Sequence, residues 1–198
     1  TSAIHIRITD DAGNVGTADT TSYVLDTTAP TITYSSVDIS ADTGSSATDF
    51  ITKTAAQTLT ATLSGAIEAD DILQTSVNAG SSWTDDDHAA GDGTSLSTSI
   101  TLAAGTSAIH IRITDDAGNV GTATTQAYTL DTTAPTMTIA SGTVTSGDTS
   151  NDATIALTFT SSESTTGFAA ADVTVSAGTI SSFAGSGASY SATFTPSS

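Results

Sequence analysis

The amino-acid sequence predicts an all-β protein made of tandem β-sandwich domains. Three observations carry that expectation. Apolar and polar residues alternate with a period of two in most segments, no segment holds a helical period, and a long stretch recurs almost unchanged 105 residues later (position 1 against position 106).

The repeat sets the domain organisation. Residues 1–31 and 106–136 differ only at positions 19, 21, 22 and 24 against 124, 126, 127 and 129. A unit of this length is too long for a solenoid turn and has the size of a whole sandwich domain. Both copies end in the run Asp-Thr-Thr-Ala-Pro, at Asp26–Pro30 and Asp131–Pro135. Proline fixes its own φ and pushes the preceding alanine to extended geometry, which makes a short stiff joint. The expected division is residues 1–28 as the end of one repeat, 29–133 as a complete repeat and 134–198 as the front of a related domain. The chain opens inside a strand pattern, so it reads as a window of something longer.

Within the complete repeat, seven strands are expected in immunoglobulin order. Strand A covers 31–38 and strand B 57–64, where Leu59, Ala61 and Leu63 alternate with threonines. C covers 72–78, D 81–84, and E 95–102, with Leu96, Ile100 and Leu102 on one side. F covers 107–114, where Ile109, Ile111 and Ile113 alternate with His110 and Arg112, and G covers 120–130. Turn residues separate them at Asn78-Ala79-Gly80, Ala104-Gly105 and Asp116-Ala117-Gly118-Asn119. Residues 1–28 then supply only strands F and G. Residues 134–198 supply A to E, with alternation at Ile155, Leu157, Phe159 and at Tyr190, Ala192, Phe194.

That order gathers the acids. The B–C loop (65–71), the D–E loop (85–95) and the F–G turn (115–119) share one pole. They hold Glu68, Asp70, Asp71, Asp85, Asp86, Asp87, Asp92, Asp115 and Asp116, and Asp26 of the preceding joint enters the same pole. Carboxylates crowded at one end repel unless a cation neutralises them. Calcium suits them, because it takes six to eight oxygen ligands from irregular loops. The competing reading is that these acids are solvated residues capping turns, and Asp85–Asp87 fit a solvated loop best. No EF-hand loop or glycine-rich calcium nonapeptide is present, and no His or Cys cluster suits zinc.

Other chemistry is sparse. There are 21 acidic residues against three basic ones, a formal net charge of -18. Arg7, Lys53 and Arg112 are too few and too scattered for phosphate, which excludes nucleic acid as a partner. A surface so acidic should attract divalent cations and repel itself without them. Cysteine is absent, which leaves the compartment open, since a domain of about 100 residues can build its own core. No apolar run reaches the roughly 18 residues of a spanning helix, so no membrane insertion is expected. His5 and His110 fall on the outward face of strand F, His88 lacks a Ser or Cys partner, and Trp83 reads as core or sheet-edge packing. With no nucleophile elbow, phosphate loop or metal triad, an enzyme is not expected.

The segments Thr114–Asn119 and Leu130–Thr136, with their earlier copies, resemble the tandem bacterial immunoglobulin-like repeats of giant biofilm-type adhesins. Ser76–Trp83 resembles that family's run before its tryptophan, with Ala79 where glycine is commoner, and residues 165–173 and 183–196 resemble a sister subtype. The resemblance implies a large type-I-secreted cell-surface protein whose repeats hold a distal adhesive region away from the cell, partnered by neighbouring repeats. It further implies calcium at the joints. Here that maps onto Asp26 with Glu68, Asp70, Asp71, Asp115 and Asp116, and onto Asp131 with Glu163 and Asp172.

Two rival readings stay open: a carbohydrate- or surface-binding module, and an extracellular filament or sheath subunit. The two ends bear on the second. Two strands alone bury no core, and a five-strand remnant leaves apolar edge surface. The F–G hairpin of one chain is therefore expected to complete the open sandwich of the next, head to tail, within one giant polypeptide or between subunits of a homopolymer.

Overall fold

A computed structural model describes residues 1–197, which group into two compact units, residues 1–132 and 133–197. The first unit begins with a hairpin, β1 (Ser2–Ile6) against β2 (Asp19–Tyr23), paired antiparallel from Ser2↔Tyr23 to Ile6↔Asp19. Every residue of both strands is exposed.

The rest of that unit is a two-sheet sandwich. One sheet holds β3 (Tyr34–Ile39), β5 (Ala56–Leu63) and β8 (Ser95–Thr101), in the order β3-β5-β8. The other holds β4 (Ile51–Thr52), β6 (Ile72–Ser76), β7 (Thr84–Asp85), β9 (Gly105–Thr114) and β10 (Thr124–Leu130), in the order β4-β10-β9-β6-β7. The expected alternation places the core. Leu59, Leu63 and Leu96 from the first sheet meet Leu73, Ile109, Ile111, Ile113, Tyr128 and Leu130 from the second, and all are buried. Each such side chain removed from water contributes about 1.5–3 kcal/mol.

Three details depart from the strand order read in the sequence. The segment expected as strand D, 81–84, forms only Thr84–Asp85, and it pairs with β6 rather than with β8. It therefore extends the five-stranded sheet, because the short turn after β6 returns the chain to that strand's free edge. Strand β4 was hidden inside the expected A–B loop. It runs parallel to β10, with Thr129↔Ile51 and Leu130↔Thr52 paired. Strand G starts at Thr124, not 120: Val120 makes only an isolated bridge to Thr114, and Gly121 N bonds to Ile113 O at 2.8 Å.

The second unit holds one sheet, β11 (Met137–Ser141), β12 (Ile155–Thr165) and β13 (Gly178–Pro196), in that order. The long β13 doubles back on itself. Gly178 lies against Thr195 and Phe194, Gly185 lies against Ser189 and Tyr190, and Ser181 Oγ reaches Thr193 O. Glycine is required at the bend, where Gly185 and Gly187 have φ of 129° and 65°. Phe159, Phe168, Phe183 and Tyr190 form an aromatic cluster with ring centroids 5.0–6.2 Å apart. The expected strand C is absent here. Between β12 and β13 only a 3-10 turn forms, Ala170–Asp172, followed by unpaired backbone. In the complete repeat the corresponding β6 is held by β9 and β7, and this unit has no such neighbours.

Candidate functional site

The charged pole of the complete repeat is built by two connections. The link from β5 to β6 carries Glu68, Asp70 and Asp71, and the turn from β9 to β10 carries Asp115 and Asp116. The segment that leads from the hairpin into the repeat passes beside both. A cleft of about 430 Å³ is lined by Asp26, Thr28–Ile32, Glu68, Asp71, Asp115 and Asp116. Five carboxylates expected as ligands from the sequence are thus brought to one cleft. Asp70 does not line it, and its backbone sits in the left-handed region at φ 71°.

The joint is seated by backbone contacts that sequence reasoning did not anticipate. The Asn119 side-chain amide donates to Asp26 O at 3.3 Å. Gly121 has no room for a side chain: a Cβ there would lie 2.8 Å from Pro30 O and 3.2 Å from Ile113 O. The signals were the fixed spacing of Asn119 and Gly121 after the Asp115-Asp116-Ala117-Gly118 turn, and the proline at 30.

Several of these carboxylates already serve their own loops. Asp115 accepts from Asn119 N at 2.7 Å through Oδ1 and from Asn119 Nδ2 at 2.9 Å through Oδ2. The first copy of the turn is built alike: Asp10 Oδ1 accepts from Asn14 N and Oδ2 from Asn14 Nδ2, both at 2.8 Å. The Asn119 side-chain bond, opposed by a smaller desolvation effect, holds the Asp115 carboxyl below its ordinary value, as Asn14 does for Asp10. Asp10 lies in the exposed hairpin, so this bonding belongs to the turn itself. Asp71 Oδ2 accepts from Glu68 N at 3.3 Å, and Asp26 Oδ1 accepts from Thr28 N at 2.8 Å.

The donor set is all oxygen and anionic, which suits a hard cation. The carboxylates are not drawn together, however: among the described residues no three Asp, Glu or His side chains converge as metal ligands. A calcium ion would have to be held by Asp26, Glu68, Asp71 and Asp116 closing on it, with Asp115 contributing the lone pairs its turn leaves free.

The residues expected at the second joint fall in different units and are described separately. Asp131 N donates to Thr52 O at 2.9 Å. Asp172 Oδ2 accepts from Ala169 N at 2.9 Å, which caps the 3-10 turn. Glu163 holds one carboxylate oxygen buried and unbonded.

Asp85 and Trp83 have structural partners. Asp85 is not a loop residue but lies in β7, where it accepts from Gln74 Nε2 at 2.7 Å. Gln74 in turn accepts from Arg112 Nε at 2.8 Å, and the guanidinium carbon sits 3.8 Å from the centre of the Trp83 ring. Trp83 therefore covers the outer face of the β6–β9 pair, with an arginine on one ring face.

Comparison with family models decides the class. Two different models, each described as a bacterial Ig-like domain, match residues 28–132 and 131–198. The chain belongs to the bacterial Ig-like domain family. Its fold class is all-β, in tandem immunoglobulin-like sandwich domains. Bacterial Ig-like domains are typically non-enzymatic structural modules and commonly occur in extracellular or surface proteins. Neither the comparison with curated proteins nor that with solved structures found a match.

Proposed function

We propose that this tandem of bacterial Ig-like domains is a structural extender of a large secreted cell-surface adhesin, stiffened by calcium at its joints and holding distal binding regions away from the cell. The observation that carries this reading is the seating of the Asp26–Pro30 joint beside the acidic pole of the complete repeat. Five carboxylates border it, and a tight Gly121–Pro30 contact leaves the segment little freedom. A spacer needs joints that transmit direction from one domain to the next. A divalent cation there would remove carboxylate repulsion and tie segment 26–32 to both loops at once. The near-identity of residues 1–31 and 106–136 fits a repeated mechanical part better than a ligand site. Arg112 over Trp83 counts against a sugar platform on that ring face.

A ligand that binds only the folded state raises stability with its concentration, by about 2.7 kcal/mol at a hundredfold excess over Kd. Thermal unfolding in millimolar calcium should therefore exceed that in chelator by several degrees. The triple variant Asp26→Asn, Asp71→Asn, Asp116→Asn should melt alike in both. Equal melting of the unaltered chain in calcium and chelator overturns the calcium joint.

A further inference from the structure

Strand β8 keeps one edge open in the complete repeat. In the order read from the sequence strand D would lie beside it. Thr84–Asp85 pairs with β6 instead, so β8 has only β5 as a neighbour. Two bonds fix which backbone groups are left over. Leu63 N donates to Thr94 O at 2.8 Å, and Leu102 N donates to Ala55 O at 2.9 Å. Along an antiparallel ladder, residues turn their N–H and C=O alternately toward and away from a given neighbour. Leu96, Thr98 and Ile100 therefore bond to β5, and the peptide groups of Ser95, Ser97, Ser99 and Thr101 point away from it. Those groups have no backbone partner among the described residues, and all four residues are exposed.

The other edges of this sandwich are blunted. β3 carries a register shift between Ser35 and Asp38, with Ser36 at φ 51°, and β4 and β7 have two residues each. Bulges, short strands and edge charges keep sheets from pairing with other chains. β8 has none of these. It is seven residues long, pairs with β5 without a register shift, and no charged residue or proline lies between Gly93 and Thr101. Beside it a hollow of about 290 Å³ separates Ser99, Ile100 and Thr101 from Thr75, Ser76 and Thr84, so the two sheets stand apart along this side.

The edge is complementary to itself. Set antiparallel about a two-fold axis at Thr98, it matches Ser97 with Ser99 and Ser95 with Thr101 of the other copy. That register satisfies all four outward peptide groups on each strand and sets no like charges opposite each other. Charge also selects the direction. The loop before β8 carries Asp86, Asp87 and Asp92, and near its far end lies Lys53, two residues before the Ala55 that bonds to Leu102. An antiparallel pair sets the acidic end of each strand at the lysine end of the other and holds the two Ser95 residues about 20 Å apart. A parallel pair would bring the acidic loops together.

We infer that the complete repeat pairs side by side with the same repeat of a second copy of this chain, β8 against β8. The contact is isologous, one patch meeting itself, and it joins two β3-β5-β8 sheets into one. It goes beyond the extender reading, since it ties chains laterally and needs no calcium.

The chain has no cysteine, so one introduced thiol reports the contact. Thr98 would face its own counterpart as a non-hydrogen-bonded pair with Cα atoms about 4.5 Å apart, within disulfide reach. The experiment is mild oxidation of the full chain in chelator, at about 0.15 M salt to screen its net charge. Thr98→Cys should cross-link at least tenfold faster than Thr62→Cys, an exposed position on β5. Adding Ser97→Pro should abolish the difference, because it removes a donor that faces away from β5 and leaves that ladder intact. Ser99→Lys, which sets two ammonium groups beside the axis, should do the same without a proline. In the unaltered chain, raising the concentration should slow hydrogen exchange at Ser97 and Ser99 and leave Leu96, Thr98 and Ile100 unchanged. Equal cross-linking of the two cysteine variants, cross-linking that survives both blocking changes, or exchange at Ser97 and Ser99 that ignores concentration overturns the proposal. Every arm is run in chelator, so failure here is separate from failure of the calcium joint.

Discussion

Tyr128 and Tyr23 are the same residue of the repeat in two settings, and they show how far a side chain's worth depends on what surrounds it. The Tyr128 hydroxyl donates to Val77 O at 2.7 Å and accepts from Ala103 N at 3.1 Å, with the ring 2% exposed. Replacing it by phenylalanine removes both bonds and leaves Val77 O with only the longer bond from Ser107 Oγ at 3.3 Å, at a net cost of about 0.5–1.5 kcal/mol for each bond lost. Tyr23 is 47% exposed, so Tyr23→Phe should change stability by less than about 0.5 kcal/mol. Denaturant unfolding of the two variants checks this, and equal effects would refute it. The acids read in the sequence as one group separate at this scale. Asp26, Glu68, Asp71, Asp115 and Asp116 border the joint, Asp70 does not, and Asp85 belongs to a strand. Residue type and loop membership were legible. Which way each carboxylate is tied was not, because it depends on amides one to four residues away.

At the scale of elements, the turn joining β9 to β10 makes a sharp pH prediction. Asp115 is held below its ordinary 3.8 chiefly by Asn119. A depressed carboxyl contributes stability that is present above the unfolded value. That stability is lost as pH falls below 3.8 and through the lower folded value. Nuclear magnetic resonance titration should place Asp115 and Asp10 below 3.8, and Asn119→Ala should return Asp115 alone toward it. An unchanged Asp115 midpoint in that variant would show that the turn does not set it. Strands B, C, E and F were legible because long alternating runs have one way to bury a side. Strand β4 was not, since two residues carry no period and its parallel partner lies almost 80 positions away (Ile51 against Thr129). The misplaced strand D has a similar cause: a two-residue strand takes whichever edge its turn delivers it to. The missing strand C of the second unit lacks a neighbour rather than a pattern, since Val173 and Val175 still alternate with polar residues.

At the scale of the molecule, a net charge of -18 makes like-charge repulsion the main long-range force acting on the chain. Tension along such a chain reaches the complete repeat through its two ends. Its outgoing strand β10 is fastened to β4 in parallel, with Thr129 N bonded to Phe50 O and Asp131 N to Thr52 O, both at 2.9 Å. These bonds lie across the strand direction, so a pull along β10 loads them together in shear rather than one after another. The most direct measurement of the extender reading is single-molecule pulling of this chain from its two termini, in calcium and then in chelator. The account predicts one discrete unfolding event for residues 29–132, releasing about 3.5 Å of contour per residue. It also predicts a stiffer approach to that event in calcium than in chelator. Continuous extension without a discrete event, or traces that superimpose in the two solutions, would contradict it.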